Sequence, residues 1–151
     1  MGLFLSTTIN RIDSKGRVSV PGPFRAALGD QLPGGIVVMR SPLHSALEGF
    51  AYATMDDIAQ RLDRYPMFSH DQDDLAASIL AEAVPLGFDS EGRVVIPSDL
   101  LNFAGIKDQI AFVGLGRKFQ LWEPGAWNKR RDSAQKSVRA KGLNLPAGGA
   151  E

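Results

Sequence analysis

No cysteine occurs among the 151 residues, which removes disulfide frameworks, thiolate zinc sites and cysteine nucleophiles together. Only two histidines are present, His44 and His70, in different contexts and without H-x-x-x-H spacing, so no metal site is expected. No apolar run approaches the roughly 18 residues of a membrane span, and no membrane partner is expected. The apolar N-terminal stretch lacks a basic leader and is interrupted by Asn10, Arg11 and Asp13 before a signal-peptide core could form. The expected compartment is therefore the cytoplasm. G-x-S-x-G, P-loop and G-x-G-x-x-G motifs are also missing. The carboxylate pairs Asp56-Asp57 and Asp73-Asp74 fall in the first turns of expected helices, where the helix dipole already accounts for them. An enzyme is not expected, and with it no catalytic residue and no cofactor.

Net charge is absent too, with 17 basic and 17 acidic side chains, yet the charge is segregated. Residues 1–50 carry +2, residues 51–92 carry −7 and residues 93–151 carry +5. Contact with phosphates requires local positive charge, and the two ends supply it. At 151 residues the chain suffices for one domain or two small ones, and 44% hydrophobic with 23% charged residues is an ordinary globular composition.

What is present is a repeat. Asp13-Ser14-Lys15-Gly16-Arg17-Val18-Ser19-Val20-Pro21 recurs 76 residues later as Asp89-Ser90-Glu91-Gly92-Arg93-Val94-Val95-Ile96-Pro97, with six of nine positions identical. Gly29 matches Gly105, and β-like runs follow in both copies, Ile36-Val37-Val38-Met39 and Ile110-Ala111-Phe112-Val113.

Each copy reads as a strand (7–12; 84–88), a turn, and a second strand running through Arg-Val-x-Val/Ile. Asp13 and Asp89 are the turn formers, their carboxylates accepting backbone N–H groups of the residues that follow. Gly16 and Gly92 supply the positive φ that the turn needs. Pro21 and Pro97 end the second strands. Short helices follow at 23–28 and 98–104, each with a glycine after its end.

Between the copies, 55–65 reads as a helix started by Thr54, with Asp57 in a capping-box position and Ile58, Leu62 and Tyr65 on one face. Ser69 caps a second helix, on which Leu75, Ile79, Leu80 and Ala83 fall at helical spacing behind Asp71, Asp73 and Asp74. Phe119, Leu121 and Trp122 read as core strand residues. Residues 126–140 read as a third helix, and 142–151 as a frayed tail.

The paired Asp13-x-x-x-Arg17 and Asp89-x-x-x-Arg93 motifs resemble those of the MraZ family of bacterial transcriptional regulators, built from two AbrB-like (SpoVT-AbrB) units. The resemblance covers residues 3 to about 127, including the lead-in from Phe4 to Asp13 and the stretch from Gly114 to Trp122 followed by Trp127. It implies an α+β, mainly β fold: two tandem units at 7–54 and 83–126 forming a pseudo-twofold swapped-hairpin β-barrel, flanked by a helical connector at 55–82 and a basic C-terminal segment at 127–151. It also implies a ring-shaped homo-oligomer, double-stranded DNA as partner through short direct repeats at the promoter of the division and cell wall cluster, repression or tuning of its own operon, and association with the nucleoid. Two features depart from the family. The stretch Ser69 to Leu75 is acidic where the family carries paired arginines, and Glu91 stands where the first turn has Lys15.

Arg11, Lys15 and Arg17 are the candidate DNA contacts, forming a cationic cluster if the strands beside the first turn pair; Arg93 is a secondary candidate. Against this, Arg17 can pair with Asp13, and Arg93 with Asp89 and Glu91. The segment from Lys129 to Lys141, with six cations and one acid, reads as a phosphate-contacting face, a partner for an acidic surface, or a solvated helix. The alternative to a DNA-binding regulator is a protein-binding module of the antitoxin type, recognising its partner through the acidic helices at 55–83.

Overall fold

The computed structural model describes residues 1–148, so the last three positions of the expected tail lie outside the described residues. The first copy of the repeat forms β1 (Thr7–Arg11), β2 (Arg17–Ser19), α1 (Gly22–Leu28), β3 (Ile36–Arg40), β4 (Leu47–Ala51) and α2 (Tyr52–Leu62). After α3 (His70–Ile79), the second copy repeats that order as β5 (Val84–Leu86), β6 (Arg93–Val95), α4 (Ser98–Phe103), β7 (Gln109–Gly114), β8 (Phe119–Trp122) and α5 (Pro124–Lys141).

The two copies interleave in an α+β fold. Six strands form an antiparallel sheet in the order β1-β7-β8-β4-β3-β5, and β2 and β6 form a separate antiparallel ribbon. Thus β1 takes its partner from the second copy, with Thr7 opposite Val113, and β5 takes its partner from the first, with Leu86 opposite Ile36. The strands flanking the first turn therefore do not ladder with each other. They share the isolated bridge Ile12–Val18 and one bond from the Asp13 N–H to the Arg17 carbonyl. Burial explains the exchange: Val18 and Val94 are each 1% exposed because the ribbon lies over the core, which a flat two-stranded hairpin could not provide.

Alternation along the strands sorts side chains into two layers. Ile36 and Val38 of β3, Leu47 of β4, Ile110 and Phe112 of β7, and Phe119 and Leu121 of β8 face the ribbon and the helices α1 and α4 in one core. Phe4, Phe24 and Phe119 meet there with ring centroids 4.9–5.4 Å apart, Phe4 making edge contacts with both of the others, geometry worth about 0.5–1.5 kcal/mol per pair beyond burial. The opposite face carries Ala111, Val113 and Trp122, against which Ala126 and Trp127 of α5 pack. On that face Glu48 is buried. Its carboxylate accepts bonds from Ser41 Oγ at 2.6 Å, Lys118 Nζ at 2.7 Å and Gln120 Nε2 at 3.0 Å, and Trp122 Nε1 donates to Gln120 Oε1 at 2.9 Å. A buried carboxylate persists because all its demands are met.

The helices follow the sequence reading with shifts that have local causes. Ser69 does cap α3, its Oγ accepting the Gln72 N–H at 3.2 Å. Thr54 does not cap α2, which starts at Tyr52 with no capping side chain on its own N-cap residue, Ala51. Instead the Ala53 N–H donates to Gln31 Oε1 at 3.2 Å, a side chain from the 3-10 turn after α1. α5 starts at Pro124, two residues ahead of the expectation, because the Glu123 carboxylate accepts the Ala126 N–H at 2.8 Å. No helix among the described residues is long and apolar enough to cross a membrane.

Candidate nucleic-acid interface

The two Asp-x-x-x-Arg turns have the same internal wiring. In the first, Asp13 Oδ1 accepts the N–H groups of Lys15 and Arg17, both at 2.9 Å, and Oδ2 accepts Arg17 Nε at 2.7 Å. In the second, Asp89 Oδ1 accepts the N–H groups of Glu91 at 2.8 Å and Arg93 at 2.9 Å, and Oδ2 accepts Arg93 Nε at 2.8 Å. The backbone bond from the Arg17 N–H is the largest influence holding the Asp13 carboxyl below its ordinary value of 3.8, and the Arg93 N–H does the same for Asp89. Each carboxylate is thereby committed to turn geometry.

Gly16 and Gly92 stand at φ +82° and +76°, and each hands its carbonyl to the other copy. The Ile96 N–H donates to the Gly16 carbonyl at 2.9 Å, and the Val20 N–H to the Gly92 carbonyl at 3.2 Å. The turns therefore brace the ends of the ribbon. Along it, Arg17 lies opposite Val95 and Ser19 opposite Arg93, while Val18 and Val94 point inward. Strand alternation puts Arg17 and Arg93 on one outward face.

The arginines differ in what they have left to offer. Arg17 uses Nε for Asp13, and its terminal amino groups have no protein partner among the described residues. Arg93 also pairs through its terminal amino group with Glu91 at 3.1 Å. The hydrogen bond to Asp89, ahead of the charges of Asp89, Glu91 and Asp13, holds Arg93 further in its charged form. Lys15 is exposed at the first turn and makes no ion pair among the described residues. Arg11, exposed on β1 opposite Gln109, likewise makes none, and it bonds to neither Lys15 nor Arg17. Its neighbour Asn10 ties β1 to the ribbon by donating from Nδ2 to the Ser19 carbonyl at 2.7 Å.

One cation at this face escaped the sequence reading. Arg25 of α1 donates from Nε to the Val20 carbonyl at 3.1 Å and lays its guanidinium over the second turn, so that a side chain at Gly92 would meet it at 2.8 Å. The repeat held the signal: the position 76 residues on is Leu101, an apolar residue where Arg25 is charged. The basic segment forms the exposed part of α5, and its six cations make no ion pairs among the described residues.

Comparison with known proteins finds a family model described as "MraZ protein, putative antitoxin-like" matching residues 3–77 and 79–143. A protein of Gluconobacter oxydans (strain 621H), named transcriptional regulator MraZ, is 46% identical over 92% of this chain and 87% of its own length. One of the same name from Gluconacetobacter diazotrophicus is 44% identical over 99% of this chain and 95% of its own, and one from Rickettsia canadensis (strain McKiel) is 38% identical over 96% and 97%. With both repeats matched and relatives aligned along nearly the whole chain, this protein belongs to the MraZ family.

Proposed function

We propose that this chain is a sequence-specific DNA-binding transcriptional regulator that represses its own division and cell wall operon, binding short direct repeats at the promoter as a ring-shaped homo-oligomer. The observation that carries the reading is the braced first turn, which holds Lys15 and the uncommitted end of Arg17 outward on a rigid ribbon. The names of the relatives support a regulator of transcription and not an enzyme. Lys and Arg meet backbone phosphates, and the planar end of an arginine can also read guanine edges. The register puts Arg11 on the other face of the sheet, the side of Ala111 and Val113, so it is kept as a separate candidate contact beyond the ribbon; Arg93 takes a lesser share because Glu91 occupies it. Cytoplasmic location with nucleoid association follows from promoter binding.

We assign units at 7–54 and 83–126, joined by the connector 55–82 and followed by the basic segment 127–151. Self-association is supported by unmet surfaces at opposite ends of the charge distribution. The turn between α2 and α3 exposes Met67 at 80% and Phe68 at 91%; the two helices share a mainly apolar cleft lined by Ile58, Leu62, Tyr65, Leu75 and Ile79 with Arg61 and Arg64, within a segment of net negative charge. The far half of α5 is basic and exposes Val138. A ring multiplies weak contacts with repeated sites through effective concentration.

Fluorescence anisotropy with the duplex from upstream of the gene, against a scrambled duplex over a salt series, tests the reading. Tighter binding of the native duplex, abolished with a shallower salt slope in Lys15→Ala/Arg17→Ala, is the expected result. The α2–α3 cleft favours a second reading, a protein-binding module of the antitoxin type. Absence of binding to either duplex at low salt would leave that reading in its place.

A further inference from the structure

The two turns are alike in backbone and unlike in what surrounds them. Beside the first, an open cleft of about 430 Å³ separates Ser14, Lys15 and Gly16 from Ser98 and Asn102 of α4 and Lys107 of the loop that follows. Lys15 and Lys107 come from different copies of the repeat, both are exposed, and neither makes an ion pair among the described residues. Asp13 also lines the cleft, but its oxygens are taken by two backbone N–H groups and by Arg17 Nε.

The corresponding surroundings of the second turn are built otherwise. Glu91 replaces Lys15, and the guanidinium of Arg25 covers Gly92 where the first turn faces Leu101. The loop that corresponds to that of Lys107, Gly29 to Gly35, contains Asp30 and no cation, whereas the Lys107 loop carries Lys107 on the cleft and Asp108 outside its lining.

We infer that the cleft between the first turn and the α4–β7 loop seats a backbone phosphate of the bound duplex, held between Lys15 and Lys107 with Ser98 and Asn102 as neutral donors. The inference rests on the DNA-binding reading and adds Lys107 to it. Lysine binds phosphate as a point charge without the planar fork that reads a base, so the contact fixes position on the duplex and not sequence. It also makes the chain an asymmetric reader, since two lysines flank the first turn whereas Glu91 and Arg25 flank the second.

The test is Lys107→Ala, with Lys107→Arg as the charge-keeping variant and Arg117→Ala, an exposed cation of the β7–β8 turn outside the cleft lining, as a control. Each is titrated with native and scrambled duplexes over a salt series, and thermal unfolding checks that the fold is kept. Lys107→Ala is expected to bind both duplexes more weakly by the same factor, about tenfold for a charge-assisted bond. Its log–log salt slope is expected to be shallower by about 0.9 for each phosphate left without its cation. Lys107→Arg should restore the slope, and Arg117→Ala should leave it unchanged. Wild-type affinity and slope in Lys107→Ala overturn the inference, as does weaker binding with an unchanged slope. Inorganic phosphate is titrated in parallel: if only its binding depends on Lys107 while duplex binding does not, the cleft serves free phosphate and the inference falls. If the wild-type protein binds no duplex at low salt, the regulator reading itself fails, an outcome distinct from failure of the Lys107 variant alone.

Discussion

Val18 and Val94 face each other at the centre of the ribbon, and they are the same position of the two copies. The flanking pairs, Arg17 with Val95 and Ser19 with Arg93, are therefore mates across a pseudo-twofold axis passing between the two valines. What one turn does at one end of the ribbon, the other does at the opposite end, and departures from that equivalence are the informative ones.

The glycines of the turns should tolerate substitution unequally. An added Cβ at Gly16 would lie 2.7 Å from the Ile96 carbonyl oxygen, a backbone atom held in the ribbon, whereas at Gly92 it would meet the movable Arg25 side chain at 2.8 Å. Both variants bear the cost of positive φ, of order 1–3 kcal/mol. Gly16→Ala should therefore unfold at a clearly lower urea concentration than Gly92→Ala. Equal midpoints would mean that the ribbon shifts as easily as a side chain.

Acid should weaken the fold in two ranges. Asp13 and Asp89 bind protons less readily folded than unfolded, so the stability they contribute is present above 3.8 and is lost as the pH falls through their lowered folded values. His44, tilted against Trp122 with ring centroids 5.2 Å apart, is lowered from 6.5 first by burial and then by the charge of Arg130. Its contribution is complete above 6.5 and is lost as the pH falls below that through the folded value. Urea midpoints followed against pH should show both declines. His44→Phe should remove the upper one, and Asp13→Asn/Asp89→Asn should flatten the lower.

Lys118→Met should destabilise the sheet although Lys118 is itself partly exposed. The substitution leaves the buried Glu48 with the hydrogen bonds of Ser41 and Gln120 but without its cation, a cost of about 1–3 kcal/mol. Lys118→Met/Glu48→Gln should recover part of that loss in chemical denaturation. A double variant no more stable than Lys118→Met would show that the carboxylate is satisfied without its charge partner.

Self-association through the acidic connector and the basic helix should weaken with salt, because exposed charges attract over a Debye length of about 8 Å at physiological ionic strength and less above it. Light scattering coupled to size exclusion should give a multimeric mass at low salt. Met67→Ser/Phe68→Ser should lower that mass while leaving the thermal transition in place. A monomeric wild-type mass at low salt would count directly against the ring.

Interactions reaching only a few residues along the chain were legible from residue order. Asp13 and Asp89 bond two to four positions ahead, Ser69 caps three ahead, and the glycines take positive φ inside the same turns. Such interactions depend on residue type at fixed short spacing, so the sequence alone determined the turns, the doubled order of elements and the family resemblance. Tertiary structure decided what those elements meet. That β1 lies against β7, that Gln31 caps α2, that Glu48 is buried with Lys118, and that Arg25 covers one turn while the other opens beside Lys107 all join residues 22 to 106 positions apart. Local propensity is blind to such pairings. They are selected together by the burial of one shared core, whose free energy belongs to the whole chain and to no segment of it.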